Sequence, residues 1–218
     1  MSIKAFLLLF HFSLFFTLSA QQTLEVSHYL FPEFTHGVVL MKGGRENPAL
    51  LNYNAATEEM VFDQNGQVLA LSEPSLSQID TVFIDERQFV LHKNKFAEVL
   101  NRDGYMLLAQ YKCRITPPGK PAPFGGTSQT SSVDSYSSWK ANGGMYDLKL
   151  PDDLEVKPYT VYLLDNGSGW KEIKSMKQLK RHYKKSKEAF DQYVSQHKPD
   201  FEDQEAVSLL ISFMERGN

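Results

Sequence analysis

The regular spacing of turn signals along residues 37–115 is the feature that most constrains the fold. Short apolar, β-branched and aromatic runs alternate there with dipeptides that favour tight turns. These dipeptides are Gly43-Gly44, Asn65-Gly66, Asp85-Glu86, Lys93-Asn94 and Asp103-Gly104. Asn-Gly and Asp-Gly readily adopt the positive φ angles of two-residue hairpins. The pattern predicts about eight short strands, and because the connections are short, sequential neighbours are expected to pair as an antiparallel meander.

Two of the predicted strands are apolar without alternation. Residues 38–41 read Val-Val-Leu-Met and residues 106–109 read Met-Leu-Leu-Ala. Continuous apolar runs are typical of strands that are covered on both faces. The sequence therefore favours a curled or barrel-like sheet, or two packed sheets with a helix over one face.

The hydrophobic period changes from strand-like to helical after Ser175. Ser175 and Gln178 form a capping box, which marks the start of a helix. Two further segments with helical spacing follow, and the last ends at Gly217. The predicted fold class is α+β and mainly β: an antiparallel meander followed by short C-terminal helices.

The first twenty residues have the pattern of a secretory signal peptide. Lys4 precedes an uncharged apolar run from Ala5 to Leu18, and the small residues Ser19 and Ala20 follow. We expect cleavage after Ala20, export to the periplasm or the extracellular space, and no membrane span in the mature chain. The alternative is a retained anchor, although the apolar run is shorter than the roughly 20 residues that cross a bilayer.

The remaining chain divides into a β-rich domain at 21–174 and a helical segment at 175–218 that packs on it. A loop at about 116–158 interrupts the β-rich domain, and Pro, Gly, Ser and Thr make up 17 of the 28 residues at 117–144. This loop carries Tyr136 and Trp139. The two rings predict a binding loop, for example for a glycan; alternatively, they pin the loop to the sheet.

The most pronounced charge cluster lies at residues 171–187, which hold eight Lys or Arg residues and one Glu. Helical projection places four of them on one face: Lys177, Lys180, Arg181 and Lys184. That face predicts contact with anionic lipid headgroups, lipopolysaccharide phosphates or an acidic protein. The alternative is a solvated face paired with acidic residues of 200–205. The whole chain has a formal charge of -3, which gives no case for nucleic acid as a partner.

The sequence contains none of the common catalytic motifs, such as a GxSxG elbow, an HExxH pair or a P-loop. The histidines of the expected mature chain are isolated in sequence, so we expect no metal site and no cofactor. Cys113 is the only cysteine, which excludes an intramolecular disulfide. We expect it to be a buried, unreactive thiol.

Two stretches carry a family resemblance: residues 29–62, with Gly37-Val-Val and Ala49-Leu-Leu-Asn-Tyr-Asn54, and the lysine-rich tail from Ser175. They resemble an uncharacterised family of exported proteins from Bacteroidota-type bacteria. The resemblance implies export and a sheet followed by helices, and it brings no catalytic residues.

The sequence therefore favours an exported cell-envelope protein that acts by binding. A secreted hydrolase with catalytic residues dispersed over the sheet remains an alternative, as does a purely structural assembly subunit.

Overall fold

The computed structural model describes residues 28–116, 120–121, 127–128 and 155–217. The predicted signal peptide at 1–20 lies outside these residues. So does most of the predicted loop at 116–158, including Tyr136 and Trp139.

The described residues form twelve strands, and eight of them fall within 35–116 as the turn spacing predicts. They are β1 (Thr35–Met41), β2 (Glu46–Asn54), β3 (Glu59–Gln64), β4 (Gln67–Ala70), β5 (Ile79–Ile84), β6 (Arg87–His92), β7 (Lys95–Asn101), β8 (Met106–Thr116), β9 (Lys120–Pro121), β10 (Thr127–Ser128), β11 (Glu155–Asp165) and β12 (Lys171–Ile173).

Ten of these strands form one antiparallel sheet in the order β12-β11-β8-β7-β6-β5-β1-β2-β3-β4, while β9 pairs with β10 alone. Sequential neighbours pair as predicted, except that β5 pairs with β1 and not with β4. The reason is a single helical turn, α1 (Glu73–Leu76), which returns the chain past the end of β1. There the Lys42 amide donates to the Gln78 carbonyl at 2.8 Å.

The sheet is curled but open, with β12 and β4 at its two edges. The turn between β2 and β3 reaches across to β7 and β8. The Cys113 amide donates to the Ala55 carbonyl at 3.1 Å, and Lys95 Nζ donates to the Thr57 carbonyl at 2.9 Å. These contacts bring β3 close to β7 without joining them as paired strands.

The main core occupies the inner face of this curled sheet. Alternate residues of the strands point inward, so Tyr53, Phe89 and Tyr162 are almost completely buried. The segment before β1 is tied to β2 by Asn52, whose side-chain oxygen accepts from the Phe31 amide at 3.1 Å. This places the Phe31 ring in the core.

The helical segment covers part of the same core. Its elements are α2 (Met176–His182), a 3₁₀ turn (Lys184–Ser186), α3 (Lys187–His197) and α4 (Gln204–Arg216). The three predicted helices are thus confirmed, and the Ser175 hydroxyl accepts from the Gln178 amide as the predicted cap. Helix α4 buries Val207, Leu210 and Ile211. Within the described ranges, no helix is long and apolar enough to cross a membrane.

Candidate functional site

A cluster of exposed cations lies where α2 passes into α3. Helix α2 ends at His182, so Lys184 belongs to the following 3₁₀ turn and not to the same helix as Lys177. We define the basic surface as the exposed residues Lys177, Arg181, Lys184, Lys185 and Lys187. Lys180 is half-buried and forms an ion pair with Asp191, 2.5 Å between Nζ and Oδ1.

An apolar groove lies between α3 and α4, which pack against each other. This helical groove has a volume of about 440 Å³. Its lining is Ser186, Ala189, Tyr193, Leu209, Ser212, Phe213, Met214, Arg216 and Gly217. Leu209 is 56% exposed and Phe213 is 46% exposed, so two large apolar side chains face solvent on one helix.

The helical groove and the basic surface are contiguous. Ser186 and Ala189 line the groove and also line a neighbouring depression that contains Lys184, Lys185 and Lys187. Arg216 adds a cation at the end of the groove. The surface formed by the 3₁₀ turn, α3 and α4 therefore combines an apolar strip on α4 with positive charge in the 3₁₀ turn and at the start of α3.

Two nearby carboxylates are engaged within the fold. Asp191 pairs with Lys180, and Glu215 accepts a hydrogen bond from the Tyr183 hydroxyl at 2.6 Å. Burial, followed by the hydrogen bond to Glu215, raises the pKa of Tyr183, so this hydroxyl stays protonated and can donate. Among the described residues, the acidic ones that line the lysine depression are Glu188 and Asp191, which leaves the basic surface strongly positive.

A second concavity lies between β3 and β7, which approach each other across the curled sheet without pairing. This cleft has a volume of about 670 Å³. Its floor is apolar, with Met60, Leu71, Leu76, Leu91 and Phe96. Its polar lining is Lys42, Glu58, Glu59, Ser77, Lys93, Asn94 and Lys95.

The interior of the sheet also holds a charged network. Arg87 Nε donates to Glu98 Oε1 at 2.8 Å, and its Nη2 donates to the Tyr111 hydroxyl at 2.9 Å. The Arg87 guanidinium lies 5.0 Å from the ring centre of Phe31 and 5.5 Å from that of Phe89. All these groups are satisfied by one another, which is the arrangement expected of a structural network that fixes strand register.

The predicted site residues thus have different outcomes. Tyr136 and Trp139 lie outside the described residues. Lys177, Arg181 and Lys184 are exposed. The alternative, pairing with residues 200–205, does not occur for Lys180, which pairs with Asp191. Sequence reasoning missed the helical groove, although the apolar spacing of Leu209 and Phe213 on one helix face was visible.

Two further observations concern the titratable groups of the described residues. Cys113 is buried as predicted, and burial, followed by the charge of Glu58, raises the pKa of its thiol to about 12. Within the residues that the structure describes, no group of three or more His, Cys, Asp or Glu side chains is placed to hold a metal ion.

Comparison of the chain with models of known protein families, with curated proteins and with solved structures found no match in any of the three.

Proposed function

We propose that this chain is an exported cell-envelope protein that acts by binding, and that it docks on anionic phospholipid through its C-terminal helices. One observation carries the proposal: the exposed apolar groove of α3 and α4 is contiguous with the basic surface. The signal-like N-terminus supports a location in the periplasm or outside the cell, where such a surface meets membrane lipid.

The physical argument rests on two contributions that act together. A basic residue close to an anionic membrane contributes about 1 kcal/mol of binding free energy. Insertion of Leu209 and Phe213 among the acyl chains would remove apolar surface from water, which adds a contribution that salt does not screen. Neither contribution alone gives stable attachment, but their combination is typical of proteins that lie on a membrane surface.

Vesicle co-sedimentation tests the proposal with the purified protein. We expect binding to vesicles of equal parts phosphatidylglycerol and phosphatidylcholine, little binding to pure phosphatidylcholine, and weaker binding at about 0.5 M than at about 0.1 M salt. Lys184→Gln combined with Lys185→Gln should weaken binding at least about tenfold. Phe213→Ser should weaken it at both salt concentrations.

Trp170→Ser is the matched apolar control, because Trp170 is 39% exposed but does not line the helical groove. This variant should bind the vesicles as the unaltered protein does. Equal binding to neutral and anionic vesicles would contradict the proposal, and so would binding that survives the lysine and Phe213 changes. Binding confined to vesicles that carry lipopolysaccharide would replace phospholipid by lipopolysaccharide as the partner.

A further inference from the structure

We infer that the cleft between β3 and β7 is a binding site for a small amphipathic anion that also carries a hydrogen-bond donor. The site is separate from the lipid-docking surface: the two linings share no residue. At about 670 Å³, the cleft is in the size range of pockets for small organic ligands.

The apolar floor of the cleft is continuous with the core. Met60 and Phe96 are almost completely buried, and Leu71, Leu76 and Leu91 pack against the same core. A ligand with a flat or branched apolar body would therefore gain contacts with side chains that are already fixed in position. This floor sets the requirement for an apolar part in the ligand.

The rim of the cleft sets the requirement for a negative charge. Lys42 and Lys93 line it, and neither side-chain ammonium makes an ion pair or hydrogen bond with another described residue. Lys95 is partly engaged, since its Nζ donates to the Thr57 carbonyl. Glu58 is neutralised by Lys112, with 2.8 Å between Oε2 and Nζ. The unpaired charge at the rim is thus mainly positive.

Glu59 sets the requirement for a donor. Glu59 lines the cleft, and its Oε2 atom is shielded from solvent and accepts no hydrogen bond from the described residues. A buried carboxylate oxygen without a donor is costly, and such groups in folded proteins commonly have a partner. A ligand hydroxyl, amide or amine proton would satisfy it once rotation of the Glu59 side chain brings this oxygen to the cleft surface.

The backbone conformation of the cleft residues independently indicates a binding site. Among the described residues, six residues other than glycine have a positive φ, and three of them line this cleft: Glu58 at 59°, Lys93 at 50° and Asn94 at 62°. Lysine and glutamate are poorly suited to this conformation, and strained residues of this kind concentrate at binding sites. The turn between β6 and β7 has a lysine at a position where asparagine or glycine would adopt the positive φ angle more easily.

The test uses anilinonaphthalene sulfonate as a probe, because it combines an apolar ring system, a sulfonate and an N–H donor. We expect one saturable site per chain, measured by fluorescence titration. Lys42→Gln combined with Lys93→Asn should weaken binding about five- to tenfold, because two rim charges are lost. Glu59→Leu, which removes the acceptor, should weaken it further by severalfold.

Two controls separate this site from others. Lys157→Gln removes an exposed lysine of β11 that does not line the cleft, and Leu209→Ser combined with Phe213→Ser removes the exposed apolar groups of the helical groove. Both should leave the affinity for the probe unchanged, with thermal unfolding confirming that every variant is folded. Affinity that is unaffected by the cleft variants, or lost in the groove variant, would overturn the inference.

Discussion

Replacement of Lys93 by asparagine should make the protein more stable. Lys93 and Asn94 form the two-residue turn between β6 and β7, and both have φ angles in the left-handed region, 50° and 62°. That region costs an ordinary L-residue about 1–2 kcal/mol, whereas asparagine adopts it more easily. We predict that Lys93→Asn raises the free energy of unfolding by about 0.5–1 kcal/mol, because part of this strain is relieved.

Urea denaturation followed by circular dichroism measures this change. The urea concentration at the unfolding midpoint should rise, while the slope of the unfolding free energy against urea concentration stays unchanged. The melting temperature should rise by about 1–4 °C for a domain of this size. A second readout is the neighbouring His92, because burial and then the charge of Lys93 lower its pKa. The pKa of His92, followed by NMR, should rise in the variant.

Asp85→Asn is the matched control for Lys93→Asn. Asp85 also has a positive φ, 50°, but it lies at the other end of β6, and both aspartate and asparagine tolerate this conformation. Its effect on stability should be smaller than about 0.3 kcal/mol. A variant Lys93→Asn that is no more stable than the unaltered protein would refute the argument that the turn is strained.

Two further predictions concern the interior. Glu98→Leu should lower the free energy of unfolding, measured in urea, by about 2–3 kcal/mol, because it leaves the partly buried Arg87 without its counter-charge. Adding Arg87→Met should recover at least half of the lost free energy. A double variant no more stable than the single one would contradict this prediction. Burial raises the pKa of the Cys113 thiol to about 12 in the folded protein. The protonated thiol therefore contributes fully to the free energy of unfolding below the pKa that the thiol has in the unfolded chain, and this contribution is lost as the pH rises toward 12. Stability should therefore fall less steeply between pH 9 and 12 in Cys113→Ala, and parallel pH profiles of the two proteins would exclude this role for the thiol.

The strands could be predicted because their turns are local. Asn65-Gly66 and Asp103-Gly104 specify hairpins through their own backbone preferences, so a few neighbouring residues decide the structure. The junction of β4 and β5 could not be predicted in this way. A single helical turn there decides which edge of the sheet receives the next strand, and this choice depends on contacts with β1, which is distant in sequence.

The lipid-docking surface and the cleft also differ in how far the sequence alone could predict them. The basic surface could be predicted because its residues are close in sequence, and the helical groove left a signal in the apolar residues Leu209 and Phe213 outside the buried stripe of α4. The cleft left no such signal. Its lining comes from β3, from the turn after β6 and from the chain around α1, which only the curl of the sheet brings together.

Each of the two sites contains a residue that is unusual for its local structure. At Asn65-Gly66 the turn uses the residues that its backbone conformation favours, whereas the turn at Lys93 uses one that this conformation disfavours. On α4, Phe213 lies outside the buried stripe, and its ring packs against Tyr193 while remaining 46% exposed. Departures that lower stability or solubility without serving the fold are expected where selection acts on binding. The cleft and the helical groove are therefore better candidates for binding than the Arg87–Glu98 network, whose groups satisfy one another.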